Sequence, residues 1–431
     1  MSRSVRAVRG FNDILPEDAA RWRLVEAAAE RILDGSGYGE IRLPLVESTS
    51  LFARSIGAST DIVEKEMYTF EDRSGESLSL RPEGTASCVR AGITHGLFNG
   101  SQNRLWYRGP MFRHERPQKG RYRQFHQIGA EAFGVSGPEI EAELIALSAR
   151  LWRRLGITRI RLAINSLGSF EDRARYREAL VDYLRARSGD LDEDSVRRLE
   201  TNPLRILDSK VEATRAILAD APRIVDCLGP EAAEHFGEVR ARLDALGIDY
   251  TVDPFLVRGL DYYTGTVFEW TTDALGAQDA VCSGGRYDGL VKELGGRDTP
   301  AAGWALGMER LVLLAEAEGR LPQPSPPHAY FIALGDAAER RALVLGEQLR
   351  DRYPDIRLIV NAGGGSLKAQ LRRADRAGAR LALIIGQSEL AEASVALKPL
   401  DGHGEQHTVP AETLAETLTA PLPDLAGSVP G

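Results

Sequence analysis

Two arginines stand where a phosphate-bearing substrate could be bound. Arg113 lies in the run Phe-Arg-His-Glu at residues 112–115. A guanidinium there can hold a phosphate through two hydrogen bonds and stabilise the charge that develops in an in-line displacement. Arg310 follows the glycine-containing segment 302–306, whose small residues let a ligand approach the backbone closely. The alternatives are a solvated strand arginine for Arg113 and a surface cation in a first helical turn for Arg310, and the other motifs favour phosphate binding.

Carboxylates, an amide and a hydroxyl occur where an imidazole and an α-ammonium group would need partners. They are Glu83 and Thr85 in the run Arg-Pro-Glu-Gly-Thr, followed by Gln127 and Glu131. A carboxylate accepts a ring N–H and fixes the tautomer, so Glu83 could select an imidazole over other side chains. The alternative is that Glu83 caps a helix that begins near Gly84. The pattern leaves both roles open.

Two runs rich in glycine and tyrosine indicate a binding surface. Residues 256–265 contain one arginine, two tyrosines and two glycines, a combination unusual for a plain strand or turn. Residues 282–290 contain three glycines, which permit close approach of a ligand, and Tyr287, which could line a pocket. A tight turn is the alternative for the second run.

Basic residues form a local cluster around the loop 115–122, although the net charge of the chain is −8. The overall negative charge argues against a protein that coats nucleic acid indiscriminately, so any such contact must be local. The cluster is opposed by Glu115 alone and consists of Arg104, Arg108, Arg113, Arg116, Lys119, Arg121 and Arg123.

A second basic cluster follows the three glycines 363–365. These glycines lie between a predicted strand and a predicted helix but lack the Gly-Lys-Ser/Thr sequence of a nucleotide phosphate loop. A polynucleotide backbone is therefore a more plausible ligand than a nucleotide cofactor. The cluster consists of Lys368, Arg372, Arg373, Arg376 and Arg380.

The elements that must position the first cluster alternate between helices and short strands. Hydrophobic spacing predicts helices over 17–34, 140–155 and 307–318. Strand patterns cover 39–46, which contains a proline and is predicted to be an edge strand, and 105–108, 124–128, 250–252 and 264–271. The runs 105–108 and 124–128 flank the polar loop 115–122, which predicts an antiparallel strand-loop-strand. Residues 171–247 are almost wholly helix-like and charged, so we expect a helical insertion.

A proline-rich segment marks the predicted domain boundary. We place a linker at 322–327 between a first domain of residues 1–321 and a second of residues 328–431. In the second domain, predicted strands at 329–334, 358–360 and 381–385 alternate with helices at 337–350 and 366–377. This alternation predicts βαβ units and a mostly parallel sheet.

Composition restricts the class of protein further. At 431 residues the chain exceeds a single compact core, and its 43% hydrophobic and 27% charged residues are those of an ordinary globular protein. The first residues lack a secretory leader and no stretch approaches the length of a membrane span, so we expect a cytoplasmic protein. Cys88, Cys227 and Cys282 lack the spacing of a zinc site or disulfide framework, which favours structural thiols.

Taken together, these motifs resemble those of histidyl-tRNA synthetases, from Arg-Gly-Phe-Asn-Asp at 9–13 to about Ala415. Pro44 with its preceding helix, residues 112–115 with their loop, and residues 307–310 resemble motifs 1, 2 and 3 of class II synthetases, in that order. The runs 256–264 and 283–290 resemble the two histidine-specific motifs of this family.

The resemblance implies an α+β class II catalytic domain with an antiparallel sheet, a helical insertion at about 171–247, and a C-terminal α/β anticodon-binding domain. It implies a histidine-tRNA ligase that forms histidyl-adenylate and pyrophosphate from histidine and ATP, then transfers histidine to the 3′ end of tRNA(His). It further implies a homodimer, built partly through motif 1. ATP would bring Mg²⁺ as a substrate complex, and no permanently bound metal or organic cofactor is expected.

The resemblance also assigns roles to individual residues. Arg258, near the α-phosphate, and Arg113 would be catalytic. The histidine-binding residues would be Glu83, Thr85, Gln127, Glu131, Tyr262, Tyr263 and Tyr287. The ATP-binding residues would be Arg113, Glu115, Arg121, Phe125 and Arg310. The tRNA-binding residues would be Arg116, Gln118, Gly364, Lys368 and Arg372.

Two other classes of protein fit less well. One is a catalytically silent paralogue that resembles the regulatory subunit of ATP phosphoribosyltransferase and senses histidine. Such paralogues lack the anticodon domain and usually degrade the positions of Arg258 and motif 3, which are all present here. The other, a nucleotide-binding structural protein, does not explain the histidine-specific runs.

Overall fold

A computed structural model of the chain describes residues 5–57, 60–99, 102–209, 211–276, 280–321, 325–400, 402 and 404–425. The chain divides into two compact units, Met1–Pro322 and Gln323–Gly431. Residues 322–324 of the predicted linker lie outside the described residues. Within the described part of the chain, no helix has the length and apolar character needed to cross a membrane.

The first unit contains helices both around its sheets and in a separate insertion. Their bounds are α1 (Pro16–Gly35), α2 (Thr49–Ile56), α3 (Thr85–Thr94), α4 (Glu139–Leu155), α5 (Phe170–Arg185), α6 (Glu193–Thr201), α7 (Glu212–Leu218), α8 (Pro230–Ala245), α9 (Leu290–Glu293) and α10 (Met308–Ala317). The predicted helices at 17–34, 140–155 and 307–318 are confirmed as α1, α4 and α10. The helical character predicted for 171–247 is confirmed by α5 to α8, apart from residue 210, which is not described.

The strands of the first unit form one large and one small sheet. Their bounds are β1 (Gly39–Glu40), β2 (Val46–Ser48), β3 (Tyr68–Glu71), β4 (Ser77–Leu80), β5 (Asn103–Phe112), β6 (Gln124–Phe133), β7 (Arg161–Ser166), β8 (Thr251–Val252), β9 (Thr264–Thr271), β10 (Ala280–Arg286) and β11 (Ala301–Gly307). The large sheet has the order β1-β5-β6-β11-β10-β9-β7-β8, and the small one β2-β4-β3. In the large sheet, each strand pairs antiparallel with the next one along the series β5-β6-β11-β10-β9-β7. The antiparallel strand-loop-strand around 115–122 is therefore confirmed as β5 and β6.

The edge strand predicted over 39–46 is wrong in extent. β1 covers two residues and pairs parallel with β5, with Gly39 opposite Leu105. Pro44 has no N–H to donate to a ladder. The backbone leaves the large sheet after Ile41, whose N–H still donates to the Trp106 carbonyl at 2.8 Å, and β2 begins at Val46 in the small sheet.

The two faces of the large sheet carry different hydrophobic cores, because successive strand residues point to opposite sides. Trp106 on β5 belongs to the core that includes Trp22 of α1 and Leu144 of α4. Its neighbour Tyr107 belongs to the other core, which extends to Tyr176 of α5. Helix α5 of the insertion therefore packs on the same side of the sheet as Tyr107, whereas Phe236 of α8 belongs to the Trp106 core.

The second unit has helices on both faces of a five-stranded sheet. Its elements are β12 (Ala329–Ala333), α11 (Asp336–Arg352), β13 (Leu358–Val360), α12 (Leu367–Arg376), β14 (Leu381–Ile385), α13 (Gln387–Ala391), β15 (Ser394–Pro399), β16 (His407–Pro410) and α14 (Leu414–Leu418). The helices and strands predicted for this half are confirmed within a few residues. Ala338 and Ala342 of α11 pack in one core, whereas Ala374 of α12 packs in the other.

The parallel pairing predicted for the strands at 329–334, 358–360 and 381–385 is confirmed, but two antiparallel strands extend the sheet beyond them. The strand order is β13-β12-β14-β15-β16, and β12 is parallel to both β13 and β14. β15 pairs antiparallel with β14, and β16 pairs antiparallel with β15. The connections before β15 and β16 are too short for the crossover of a dozen or more residues that a parallel neighbour requires.

Candidate active site

A cavity of about 260 Å³ opens on the large sheet of the first unit. It collects eleven of the residues singled out from the sequence, namely Glu83, Thr85, Arg113, Glu115, Arg121, Phe125, Gln127, Arg258, Tyr262, Tyr263 and Arg310. Sequence reasoning missed four further polar lining residues, namely Tyr122, Glu269, Ser283 and Glu309. Tertiary structure therefore brings motifs that are more than 200 residues apart in the chain into one site.

Arg113, directly after β5, supplies one partly buried cation. Its Nε donates to the Pro82 carbonyl at 2.9 Å, and its guanidinium lies over the Phe125 ring, 5.3 Å from the centroid. Nη1 lies 3.9 Å from the Glu115 carboxylate, beyond hydrogen-bond distance. Burial lowers the pKa of Arg113, since a desolvated charge is unfavourable without a close counterion. An anionic ligand would provide that counterion.

Arg258 supplies a second partly buried cation, and two side chains of the sheet hold its guanidinium. Nη1 donates to Glu269 on β9 and Nη2 donates to the Ser283 hydroxyl on β10. Burial lowers the pKa of the guanidinium, but the Glu269 carboxylate more than offsets this effect, and the pKa is raised. Nε is buried and has no hydrogen-bond partner among the described residues. Arg258 is therefore both oriented by protein groups and left with an unused donor.

Arg310 and Glu309, at the start of α10, tie that helix to the strand-loop-strand. Nε of Arg310 donates to the Gly120 carbonyl at 3.2 Å, and Nη1 donates to the Ala280 carbonyl at 2.5 Å. Both carboxylate oxygens of Glu309 accept from the His126 N–H, at 3.0 and 2.9 Å. Arg310 thus supports the loop of β5 and β6 as well as lining the cavity. The signal that could have found Glu309 is its position beside Arg310 in a first helical turn.

Glu83 has the helix-capping contacts that the sequence left as an alternative. Its Oε2 accepts from the Thr85 N–H at 2.6 Å and its Oε1 accepts from the Ala86 N–H at 2.9 Å, at the start of α3. Burial raises the pKa of this carboxyl group. Each carboxylate oxygen has two acceptor positions, so the cap leaves capacity for a ring N–H from a ligand in the cavity.

Glu131 and Tyr287 lie behind the cavity and not among its lining residues. Oε1 of Glu131 accepts from the Thr85 hydroxyl at 2.7 Å and the Tyr107 hydroxyl at 3.0 Å, and Oε2 accepts from the Tyr287 hydroxyl. Burial raises the pKa of Glu131 to about 8. The predicted contact of Glu131 and Tyr287 with a ligand stays a prediction, and in this structure the Glu131 carboxylate accepts from internal hydroxyls. A Cβ at Gly303 would come 1.7 Å from Oε2, so this position requires glycine.

The polar wall of the cavity also contains Gln127 and the neighbouring Tyr262 and Tyr263. The side-chain Oε1 of Gln127 is buried and accepts no hydrogen bond from any described residue. A buried carbonyl oxygen of this kind lacks a donor that a ligand could supply. The rings of Tyr262 and Tyr263 lie 4.7 Å apart, and both residues line the cavity.

Some residues of the loop between β5 and β6 line the cavity, and others are exposed to solvent. Glu115 pairs with Arg121, and both line the cavity. The main chains of Gln118 and Arg121 bond to each other at 2.9 Å in both directions, which closes a tight turn. Arg116 and Gln118 are exposed and lie outside the cavity lining, on the part of the loop open to a larger ligand.

In the second unit, the glycine run forms a left-handed turn before α12. Gly363, Gly364 and Gly365 have φ of +81°, +55° and +108°, a region that disfavours other residues. Nη1 of Arg373 donates to Asn361 at 2.7 Å and to the Gly364 carbonyl at 2.9 Å, so this arginine braces the turn. Arg373 therefore differs from the exposed cations of the basic cluster, since protein groups already bind its guanidinium. The exposed cations Lys368, Arg372 and Arg376 are spaced four residues apart and share one face of α12.

No cluster of three or more histidine, cysteine, aspartate or glutamate side chains within the described ranges could hold a metal ion. The buried polar groups of the cavity are instead arginines, tyrosines and single carboxylates. Such a set suits a ligand that carries both anionic and cationic groups.

Comparison with known proteins gives two matches along the chain. The family model described as histidyl-tRNA synthetase matches residues 10–311, and the model described as anticodon binding domain matches residues 328–420. A crystal structure of apo histidyl-tRNA synthetase from S. aureus is 38% identical, with a TM-score of 0.80, and the match covers 96% of this chain and 100% of that one. These matches confirm the predicted class II catalytic domain with an anticodon-binding domain.

Two more distant structures share the fold. Histidyl-tRNA synthetase from Nostoc sp. PCC 7120 is 22% identical with a TM-score of 0.67, and the match covers 97% of this chain and 100% of that one. A protein from Bacillus halodurans C described as an ATP phosphoribosyltransferase regulatory subunit/histidyl-tRNA synthetase is 23% identical with a TM-score of 0.62. That match covers 86% of this chain and 97% of the other.

Proposed function

The chain belongs to the histidyl-tRNA synthetase family, and from that premise we propose that it is a histidine-tRNA ligase. The histidine carboxylate attacks the α-phosphorus of ATP, which forms histidyl-adenylate and releases pyrophosphate. The terminal ribose hydroxyl of tRNA(His) then attacks the carbonyl carbon of the adenylate, and AMP leaves. Positioning and electrostatics contribute most of the acceleration.

The observation that carries the proposal is the combination of two partly buried arginines and one buried acceptor without a described partner in a single cavity. Arg113 lacks a carboxylate within hydrogen-bond distance, and Arg258 has an unused buried Nε–H among the described residues. Phosphate oxygens of ATP complete both groups. Gln127 Oε1 accepts from the histidine ammonium group. The cavity therefore pairs the anionic and cationic ends of the reacting molecules.

Each end of the cavity has its own role in this proposal. Arg258 stabilises charge at the α-phosphate, while Arg113 and Arg310 bind ATP together with Glu115, Arg121 and Phe125. Mg²⁺ enters with the outer phosphates of ATP as part of the substrate.

The imidazole of histidine lies between Glu83, Thr85 and the rings of Tyr262 and Tyr263. Glu131 and Tyr287 hold Thr85 and the tyrosine wall in place from behind, since Glu131 accepts hydrogen bonds from Thr85 and Tyr287. Histidine selection thus depends on a chain of hydrogen bonds that begins behind the cavity.

The tRNA spans both units in this proposal. The exposed Arg116 and Gln118 of the β5–β6 loop approach its acceptor end, and Gly364, Lys368 and Arg372 contact the anticodon region. We further propose a homodimer that works in the cytoplasm. The family match to an anticodon binding domain over 328–420 supports the assignment of the second unit.

The alternative of a histidine-sensing regulatory paralogue has a relative with such a description among the solved structures. Two observations favour the ligase. Arg113, Arg258 and Arg310 line one cavity, and the second unit matches the anticodon binding domain. A sensor would need neither the phosphate-binding arginines nor that domain.

Histidine-dependent exchange of labelled pyrophosphate into ATP tests the proposal. We expect exchange with L-histidine and none with other amino acids, followed by charging of tRNA(His) when tRNA is added. Calorimetric binding of histidine without any exchange would instead support the sensor.

A further inference from the structure

Arg173 of α5, in the helical insertion, contacts the loop that carries two tyrosines of the cavity wall. Its Nη1 donates to the Tyr263 carbonyl at 2.9 Å and to the Asp261 carbonyl at 3.4 Å. Both acceptors belong to the loop that carries the tyrosines of the cavity wall. The insertion, an element of about 77 residues without visible chemistry of its own, thus contacts the tyrosine-containing run 256–265.

The position of Arg173 is well defined by its surroundings. The guanidinium lies 5.0 Å from the centroid of the Phe170 ring, at the start of the same helix. Burial lowers the pKa of Arg173. The Ser169 capping box, in which Asp172 accepts from the Ser169 N–H at 2.9 Å, fixes the first turn of α5. The donor is therefore presented from a rigid helix end.

Asp261 of the same loop makes further contacts, one with Ile56 and one with Asn202 of the insertion. Its N–H donates to the Ile56 carbonyl at 3.2 Å, and Oδ1 accepts from Nδ2 of Asn202 at 3.3 Å. At Gly57, which has φ +102°, a Cβ would come 2.5 Å from Asp261 Oδ2. The loop between Arg258 and β9 therefore has two anchors, one at Asp261 and one at the Tyr263 carbonyl.

The second anchor acts directly on the cavity wall. Tyr262, between the two carbonyls that Arg173 binds, and Tyr263 both line the cavity. The Tyr263 ring also lies 6.0 Å from the Arg258 guanidinium. A rotation of this peptide would displace both rings, and displacements of about 1 Å in a reacting site can cost on the order of 100-fold in rate.

We propose that Arg173 is a positioning residue that couples the helical insertion to the histidine subsite by fixing the Asp261–Tyr263 backbone. This inference rests on the proposed function only for the identity of the ligand. In the proposed function ATP is bound mainly by the β5–β6 loop, by Phe125 of β6 and by α10, so we expect the effect of Arg173 to fall on histidine.

The test compares Arg173→Met, Arg173→Lys and the control Arg177→Met, which removes an exposed arginine one turn further along α5. Histidine affinity is measured by calorimetry, and Michaelis constants for histidine and ATP are measured by pyrophosphate exchange. We expect Arg173→Met to raise the histidine Kd and KM about tenfold while the ATP KM stays within about twofold. Arg173→Lys, which keeps one donor, should be intermediate, and Arg177→Met should match wild type.

Equal changes in the two Michaelis constants, or a histidine Kd within twofold of wild type for a folded Arg173→Met, would overturn the proposal. If Arg173→Met does not fold, Arg173→Lys decides by the same criteria. The proposed function fails by a different result, namely wild-type protein that shows no histidine-dependent exchange. In that case the ratio of the histidine Kd values of variant and wild type, measured by calorimetry, still tests the role of Arg173.

Discussion

Oε2 of Glu131 accepts a hydrogen bond from the Tyr287 hydroxyl in a fully buried contact behind the cavity. Strand β6 presents the carboxylate, and Tyr287 directly follows strand β10. Because Oε1 of the same carboxylate accepts from Thr85 and Tyr107, one side chain organises three hydroxyl groups around the cavity.

Glu131→Gln should change how stability depends on pH. The pKa of Glu131 is raised by burial from 4.5 to about 8, so the folded protein binds a proton that the unfolded chain releases between these values. Stability therefore falls as pH rises through that window, by at most about 1.4 kcal/mol per pH unit for one proton. Thermal unfolding of wild type and Glu131→Gln from pH 5 to pH 8 measures this difference. Parallel Tm profiles for the two proteins would contradict the buried-proton explanation.

Arg258→Ala should reduce pyrophosphate exchange by about 100- to 1,000-fold, the usual cost of losing one donor that stabilises developing charge. Glu269 and Ser283 hold this arginine, so the substitution also leaves a buried carboxylate unpaired. Circular dichroism and histidine binding serve as controls for folding. A folded variant with exchange within a few-fold of wild type would show that Arg258 has no such role.

Glu83→Gln should raise the histidine KM more than the ATP KM, because a subsite built around a buried hydrogen bond discriminates strongly. The amide can still accept from one of the two N–H groups of α3 that Glu83 caps. We therefore also expect a loss of about 1 kcal/mol in unfolding free energy from the weakened cap. Equal changes in both Michaelis constants, measured by exchange, would leave capping as the sole role.

Reversing the charges of Lys368, Arg372 and Arg376 should flatten the salt dependence of tRNA binding. Each lost phosphate contact lowers the slope of log K against log salt by about 0.7 to 0.9. Arg340→Glu is a matched control, since this exposed arginine belongs to α11, which packs on the opposite face of the sheet from α12. Filter binding is measured at salt concentrations from about 50 to about 200 mM. The assignment is rejected if the triple variant and the control have the same slope.

The division of labour between the two units predicts the behaviour of a truncated chain. A chain that ends near Leu321 should still form histidyl-adenylate when it dimerises, yet charge tRNA poorly, because the distant anchor that raises the effective concentration of the acceptor end is lost. Normal charging at low tRNA concentration and physiological salt would refute this division. If adenylate formation is lost as well, sedimentation shows whether dimerisation failed.

The candidate cavity was largely predictable from local chemistry. Arg113, Arg258 and Gln127 carry groups that suit a substrate with phosphate and ammonium groups, and all three line the cavity. Helices such as α1 and α4 were also predictable, since the 3.6-residue spacing of apolar side chains is a local property. Where the prediction failed, as at residues 41–45, or did not include a strand, as with β15 and β16, the outcome depended on which strand lay beside the segment.

The sequence by itself determined which chemical groups are available and which family they indicate, because motif composition and periodicity are written in neighbouring residues. Tertiary structure alone decided which of those groups line the cavity and which bind to other groups of the protein. Glu131 turned inward to three hydroxyls, Arg373 turned back to its own glycine loop, and Arg173 crossed from the insertion to Tyr263. The physical reason is that a polar side chain removed from water must form its hydrogen bonds with the protein groups that the fold brings near it. Those groups are generally distant in the chain.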